Sequence, residues 1–340
     1  MSSADRPDIS LEARRKTAAI LRVLEESGRP LGGTKVARAL RAAGIDLKQR
    51  MVRNYLEAAD AAGLTVNLGR RGRQITSRGR QELSNAVAFD KLGFIDARAD
   101  ELAYQMTLDP VRHKGTLILN ISTVPQGRLA EAKRIVARVM RAGLGMGRYG
   151  LVTEAGAELA GYHVAPNEAA IGTVCSITLN GLLRAAGVPV ISRFGGLLEI
   201  RTGEPFRFAH IIHYNGTTLD PVEIFIRARM TSVLAVVESG SGLVGASFRE
   251  VPAAALPQVE KVVRQMRRAG LGGLVVVGQP SRPLFDIPVG PSRTGIVVTA
   301  GLNPLAAVQE AGIPTSNRAL ARLYDFAALT ALVAAPAEEE

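Results

Sequence analysis

The sequence predicts an α+β protein (α/β in the broad sense): an N-terminal winged helix-turn-helix, then a larger domain with an internal tandem repeat of split β-α-β, or ferredoxin-like, units. Three observations carry this. Three short amphipathic segments are followed by strand, basic turn and strand within the first 85 residues. A stretch starting at Gly115 recurs without a gap at Gly242, 127 residues on. Positive charge is concentrated at the start: residues 1–85 hold 17 Lys/Arg against 9 Asp/Glu, a net of +8 out of +11 for the chain.

Composition narrows the classes. In 340 residues, 47% are hydrophobic and 21% charged, which is a globular balance. Aromatics are 4% with no Trp, so the cores are expected to be aliphatic. A single cysteine excludes a disulfide framework and a Cys-based zinc site. No apolar run approaches the ~18 residues of a membrane span. The start, MSSADRPDIS, has no apolar signal segment, and a cytoplasmic location is expected. The division expected is a flexible tail at 1–12, a winged-helix DNA-binding domain at 13–85 and an effector-binding and oligomerisation domain at 86–340.

In the first module, LEARRKTAAILRVLEESG has apolar residues near helical spacing and stops at Gly28. Thr34 is expected to cap the second helix, whose inner stripe is Val36, Ala37 and Leu40 and whose stop is Gly44. In KQRMVRNYLEAADAAG, Met51, Val52, Tyr55, Leu56 and Ala59 are expected to face inward. LTVNLGRRGRQIT then reads as a wing, with Leu64, Val66 and Leu68 alternating before a basic turn. Recognition helices enter the major groove by their N-terminal end, where long donors reach base edges and phosphates. The DNA-binding candidates are therefore Thr34, Lys48, Gln49, Arg50, Arg53 and Asn54, with Arg70, Arg71 and Arg73 of the wing on the backbone or in the minor groove. A winged helix that serves protein contacts, or none, is the competing reading.

In the larger domain, copies are expected at 115–200 and 242–326. Arg141 to Gly145 falls on Arg268 to Gly272, and a second block aligns Leu179-Asn180 with Leu302-Asn303 and Arg193 with Arg318, with two extra residues in the second copy's helix. Each copy reads strand, long helix, strand, strand, short helix, strand. Between them lie two strand-like runs and a helix with Asp220 as N-cap and Pro221 at its first position. The copies are expected to pack about a pseudo-twofold axis with a ligand cleft between them.

The chemistry-bearing residues are few. Cys175 in TVCSIT reads as a buried core residue, or as a nucleophile if a histidine approaches it. His210 and His213 are expected on opposite faces of a strand, with too few ligands for a metal. Gly143, Gly145 and Gly147 follow a helix and lack the Lys-Ser/Thr of a phosphate loop, so they read as a turn. Ser176, Thr178, Asn180, Ser192, Arg193, Asn215, Thr217 and Thr218 together offer the neutral donors and the one forked cation that a small dicarboxylate needs. With Cys175, the effector candidates are Ser176, Thr178, Asn180, Arg193, Thr217 and Thr218; turn chemistry is the alternative for Asn215-Gly216.

Several long motifs, TVCSITLNGLL (Thr173 to Leu183), SRFGGLLEI (Ser192 to Ile200), YNGTTLDPVEIFI (Tyr214 to Ile226) and MTSV (Met230 to Val233), resemble the archaeal nitrogen regulatory repressor family, NrpR. The N-terminal segment resembles its ribonuclease-R-type winged helix. The resemblance runs from Arg14 to Phe326 and implies a repressor of nitrogen-assimilation genes, bound to palindromic operators as a homodimer or higher oligomer. It also implies 2-oxoglutarate as the effector that releases the protein from double-stranded DNA, with no other cofactor. Against this stand an enzyme using Cys175 tethered to a DNA-binding module, and a DNA-binding protein without a ligand.

Overall fold

The computed structural model describes residues 11–90 and 94–334. Most of the tail expected at 1–12 lies outside them. The chain divides into two compact units, 1–92 and 93–340.

The first unit contains α1 (Leu11–Ser27), α2 (Gly33–Ala42), α3 (Gln49–Ala61), β1 (Thr65–Asn67), β2 (Arg73–Ile75) and α4 (Ser77–Asp90). Its core is Ile20, Leu21, Leu24, Val36, Leu40, Val52, Leu56 and Ile75. The inner stripe of α3 is Val52, Leu56 and Ala59, at i, i+4 and i+7. Met51, expected inside, points outward because it falls a residue off that stripe. The wing is also out of phase with expectation: in β1, Thr65 is buried and Val66 exposed. The Thr65 hydroxyl is satisfied by Asp60, so a polar residue holds the inner position. Leu31 adds a third strand by exchanging backbone bonds of 2.9 Å with Arg73. Gly72 makes this possible. Its φ is +97°, and a Cβ would stand 2.4 Å from the Leu31 carbonyl carbon. The N-cap of α2 is Gly32, not Thr34, which sits in the first turn.

The second unit opens with α5 (Phe94–Gln105), which, like α4, the sequence pattern does not delimit. Its first half then runs β3 (Thr116–Pro125), α6 (Leu129–Arg141), β4 (Tyr149–Thr153), a small hairpin of β5 (Glu158–Leu159) and β6 (Tyr162–His163), β7 (Glu168–Val174), α7 (Thr178–Ala185) and β8 (Ile191–Arg201). The connecting segment is β9 (Glu204–His213), α8 (Pro221–Arg227) and α9 (Val233–Ser239). The second half is β10 (Gly242–Pro252), α10 (Leu256–Arg268), β11 (Val275–Val277), β12 (Arg293–Thr299), α11 (Asn303–Glu310), β13 (Ser316–Asp325) and β14 (Thr330–Ala331). As expected from the sequence, Asp220 caps α8, its carboxylate accepting from the Val222 and Glu223 amides.

The strands form two five-stranded antiparallel sheets, in the orders β11-β12-β10-β8-β9 and β13-β3-β7-β4-β14. The last strand of each half is therefore exchanged: β8 pairs with β10, and β13 with β3. The expectation of four strands of one copy in one unit is corrected. β3 and β10 present near-equivalent edges, so strand pattern alone does not say which partner each accepts.

The alignment of the second block also needs correction. The helices α7 and α11 both have eight residues, so α11 contains no insertion. The Thr178 hydroxyl accepts from the Ile118 amide (3.4 Å), and Asn303 does the same for the repeat-equivalent Gly245 amide (2.8 Å). Thr178, not Asn180, is thus the counterpart of Asn303. The helices also pack across the halves, α6 on α11 and α7 on α10. Leu179, Leu183, Val259 and Ile296 lie in one core, and Val136, Val139, Leu305 and Val297 in another.

Candidate functional site

In the first unit, the α2–α3 turn presents Lys48, Gln49, Arg50, Arg53 and Asn54 exposed along one side of α3. Gln49 donates to the Thr34 hydroxyl, tying the N-terminal ends of α2 and α3. Arg50 and Arg53 lie one turn apart on the exposed side of α3, Arg50 opposite the buried stripe and Arg53 on its flank. Arg70 and Arg71 are exposed at the wing tip. Arg73 differs from expectation. Its guanidinium lies 2.7 Å from Asp60 with only 16% of the side chain exposed. It fastens the wing to α3, because so short a ladder needs a side-chain clamp to hold it.

In the second unit, the sequence candidates separate into three groups. Ser176 and Asn180 converge on a residue outside the candidate set, Arg249 of β10. Arg249 is fully buried. Its Nε donates to the Asn180 side-chain oxygen, Nη1 to the Ser247 hydroxyl (2.9 Å) and Nη2 to the Ser176 carbonyl (3.0 Å). Asn180 in turn donates to Ser192 (2.9 Å). Among the described residues no carboxylate stands within ion-pair distance of Arg249. The signal for it in the sequence is an arginine inside an apolar strand, at the position held by Ser122 in the first copy.

Arg193 forms a second group. It is paired with Glu250, whose other oxygen faces Arg293 at 3.6 Å. Its charge is already compensated within the fold, and the partner is Glu250 rather than Glu199, which holds Arg201 and Arg207. Thr217 and Thr178 do structural work. The Thr217 hydroxyl closes a turn on Leu219 (2.7 Å), Thr218 is half-buried beside it, and Thr178 anchors α7 to β3.

Two cavities flank the Arg249 layer. One, of about 460 Å³, lies between α5 and α7 and is lined by Asp100, Ala103, Asn180, Arg184 and Gly187 to Val190. The other, of about 20 Å³, is lined by Asn120, Cys175, Ser176, Tyr214, Asp220 and Ser247, and is water-sized. Burial pushes the Cys175 thiol up to about 12, so it is protonated at neutral pH and a poor nucleophile. His210 and His213 make ring contacts with Phe225 and Phe194 respectively. Among the described residues there is no group of three metal-ligating side chains, and no helix is long and apolar enough to cross a membrane.

Burial pushes the Asp220 carboxyl up to about 6 and that of Glu223 up to about 7. Glu223 accepts from the Ala319 amide and so ties α8 to β13. The folded state holds the Glu223 proton more tightly than the unfolded chain does. Stability should therefore fall as pH rises from about 4.5 to about 7, then level off. Glu223→Gln keeps the acceptor and removes the charge. Its stability advantage over the wild type is expected to grow across that window to about 1–3 kcal/mol at pH 8. A constant difference in melting temperature between the two proteins from pH 4 to pH 8 would refute this.

A basic winged helix joined to an α+β domain with a buried cation beside a pocket defines a DNA-binding transcriptional regulator with a separate regulatory domain. Comparison with known proteins agrees. Residues 92–331 match the family model described as NrpR regulatory domains NRD1 and 2, and residues 18–83 match the ribonuclease R winged-helix domain. The chain belongs to the NrpR family. It is 32% identical to the global nitrogen regulator NrpRI of Methanosarcina mazei, over 93% of this chain and 97% of that one. It is 28% identical to the global nitrogen regulator NrpR of Methanococcus maripaludis, over 91% of this chain and 54% of the other, so it spans about half of that relative. A crystal structure of a nitrogen repressor-like protein from Methanococcus jannaschii superposes with a TM-score of 0.59 at 27% identity, covering 69% of this chain and 97% of that one.

Proposed function

We propose that the chain represses nitrogen-assimilation genes and is released from its operator by 2-oxoglutarate. The nitrogen-regulator relatives support the first half. Arg249 carries the second: a guanidinium taken out of water with only neutral acceptors around it is costly, and a carboxylate would compensate it. Its neighbour Asn180 lines the 460 Å³ cavity, which is within the usual size of a small-ligand site. The site we propose is therefore Arg249, Asn180, Ser176 and Arg184, and Arg193, held by Glu250, lies outside it.

The two halves of the regulatory domain are tandem ferredoxin-like units with exchanged fourth strands. The exchange ties the halves together, so a ligand that shifts α7 would move both sheets. One winged helix buries roughly 600–1,000 Å² on DNA, too little for tight specific binding. The reading therefore includes a homodimer on an inverted repeat, whose half-site spacing the ligand disturbs. Fluorescence anisotropy on a promoter fragment of a nitrogen-assimilation gene from the same genome tests it. Millimolar 2-oxoglutarate should release the protein and succinate should not; binding indifferent to 2-oxoglutarate would sink the proposal.

A further inference from the structure

A second, larger cavity of the regulatory domain lies elsewhere. It has about 690 Å³ and lies between the end of α8, the connection that follows it and the C-terminal turn of α11. Its floor is Gln309 and Gly312 to Thr315. These are the repeat counterparts of Arg184 and Gly187 to Val190, which line the 460 Å³ cavity of the first half. Both halves thus open a cavity at the same place in the fold, one closed by α5 and the other by the α8–α9 connection.

The chemistry of the second cavity differs. Pro314 gives it an exposed apolar surface, with Ile226, Ala306 and Ile313 buried behind, and Arg227 and Arg229 line it with Thr231. The Glu310 carboxylate, also in the wall, is spent on the Val233 and Leu234 amides at 2.9 and 2.8 Å. Arg227 has only a long contact of 3.7 Å to Glu223. The Arg229 side chain has no ion pair or hydrogen bond among the described residues.

Arg229 also occupies a position that does not suit it. After α8, the Arg229 amide bonds the Ile226 carbonyl and the Met230 amide bonds the Phe225 carbonyl, a Schellman closure with Arg229 at φ +54°. The equivalent left-handed residue after α2, α3, α6, α7, α10 and α11 is glycine. A side chain in that conformation strains the backbone, and such strain collects at functional positions. Here it places a free guanidinium on the rim of an open cavity beside a second one. Two guanidinia and a hydroxyl in the lining of one cavity offer the donors that a phosphate needs.

We infer that this cavity binds a phosphate-bearing metabolite of mononucleotide size, with Arg229 and Arg227 on the phosphate and Pro314 against the remainder. The test uses the full chain, wild type and Arg229→Gly, titrated calorimetrically with AMP, with inorganic phosphate as competitor. Wild type should bind AMP and lose it to phosphate, and Arg229→Gly should bind at least tenfold more weakly. The unliganded variant should melt a few degrees higher, because glycine relieves the strain. That pairing of gained stability with lost affinity is not what a merely structural arginine would give. No AMP binding by wild type, or equal affinity in the variant, overturns the assignment. So does loss of 2-oxoglutarate binding in Arg229→Gly, which would make this cavity the effector site instead. Arg249→Met should leave AMP binding unchanged, which separates failure of this inference from failure of the effector site proposed around Arg249.

Discussion

Arg249→Met should abolish the response to 2-oxoglutarate while leaving operator binding intact. Removing one partner of a buried charge pair costs about 2–5 kcal/mol, or roughly 30- to several-thousand-fold in affinity. Methionine fills a similar volume without a charge, so the fold should survive. Arg249→Lys should recover only part of the binding, because an ammonium offers no parallel fork. Arg193→Ala is the contrasting variant. It strands Glu250 beside Arg293 and should lower the melting temperature, but it leaves the Arg249 layer in place. Calorimetric titration of the three variants decides between the two arginines. Undiminished 2-oxoglutarate affinity in Arg249→Met would remove Arg249 from the effector site, and loss confined to Arg193→Ala would move the site to the Glu250 side.

The second large effect concerns DNA. Arg50 and Arg53 project from the exposed side of α3, where a groove-bound helix meets base edges. Arg50→Ala should cost about 1–3 kcal/mol on the operator and relax specificity at one position. Arg53→Ala should act additively or nearly so if it reads a neighbouring base. Replacing Arg70 and Arg71 at the wing tip should weaken binding to every sequence and flatten its dependence on salt by about one unit for each phosphate left without its arginine. Arg73→Ala should instead destabilise the module, since its partner is Asp60. Operator affinity unaltered in Arg50→Ala and in the wing double variant, at matched salt, would exclude this face from DNA binding.

Much of the first unit is legible in the sequence because its signals are local. Glycines at the left-handed helix ends, the apolar stripe of α2 and the basic wing are each written within a dozen residues. Where structure departs from pattern, a neighbour in space makes the difference. Thr65 is inside because Asp60 reaches it, and Arg73 is withdrawn because the same carboxylate takes it. In the second unit the Asp220 cap and the strand-rich connection are legible for the same reason. The polar candidates rest on composition, and composition does not tell a ligand contact from a turn. Thr217 is the clearest case: its hydroxyl is occupied within its own turn.

The residue pattern along the chain is sufficient for the winged helix, the repeated order of strands and helices and the basic face of α3, because each follows from periodicity and capping over short spans. The strand exchange, the loss of Arg193 to Glu250 and the burial of Arg249 under α7 need the third dimension. They rest on which of two near-identical edges β8 joins, and the β8–β10 pairing sets Ser192 opposite Arg249, with Asn180 and Ser176 brought over the same guanidinium. A pairing choice between equivalent edges is settled by the summed packing of both halves, which no single segment encodes.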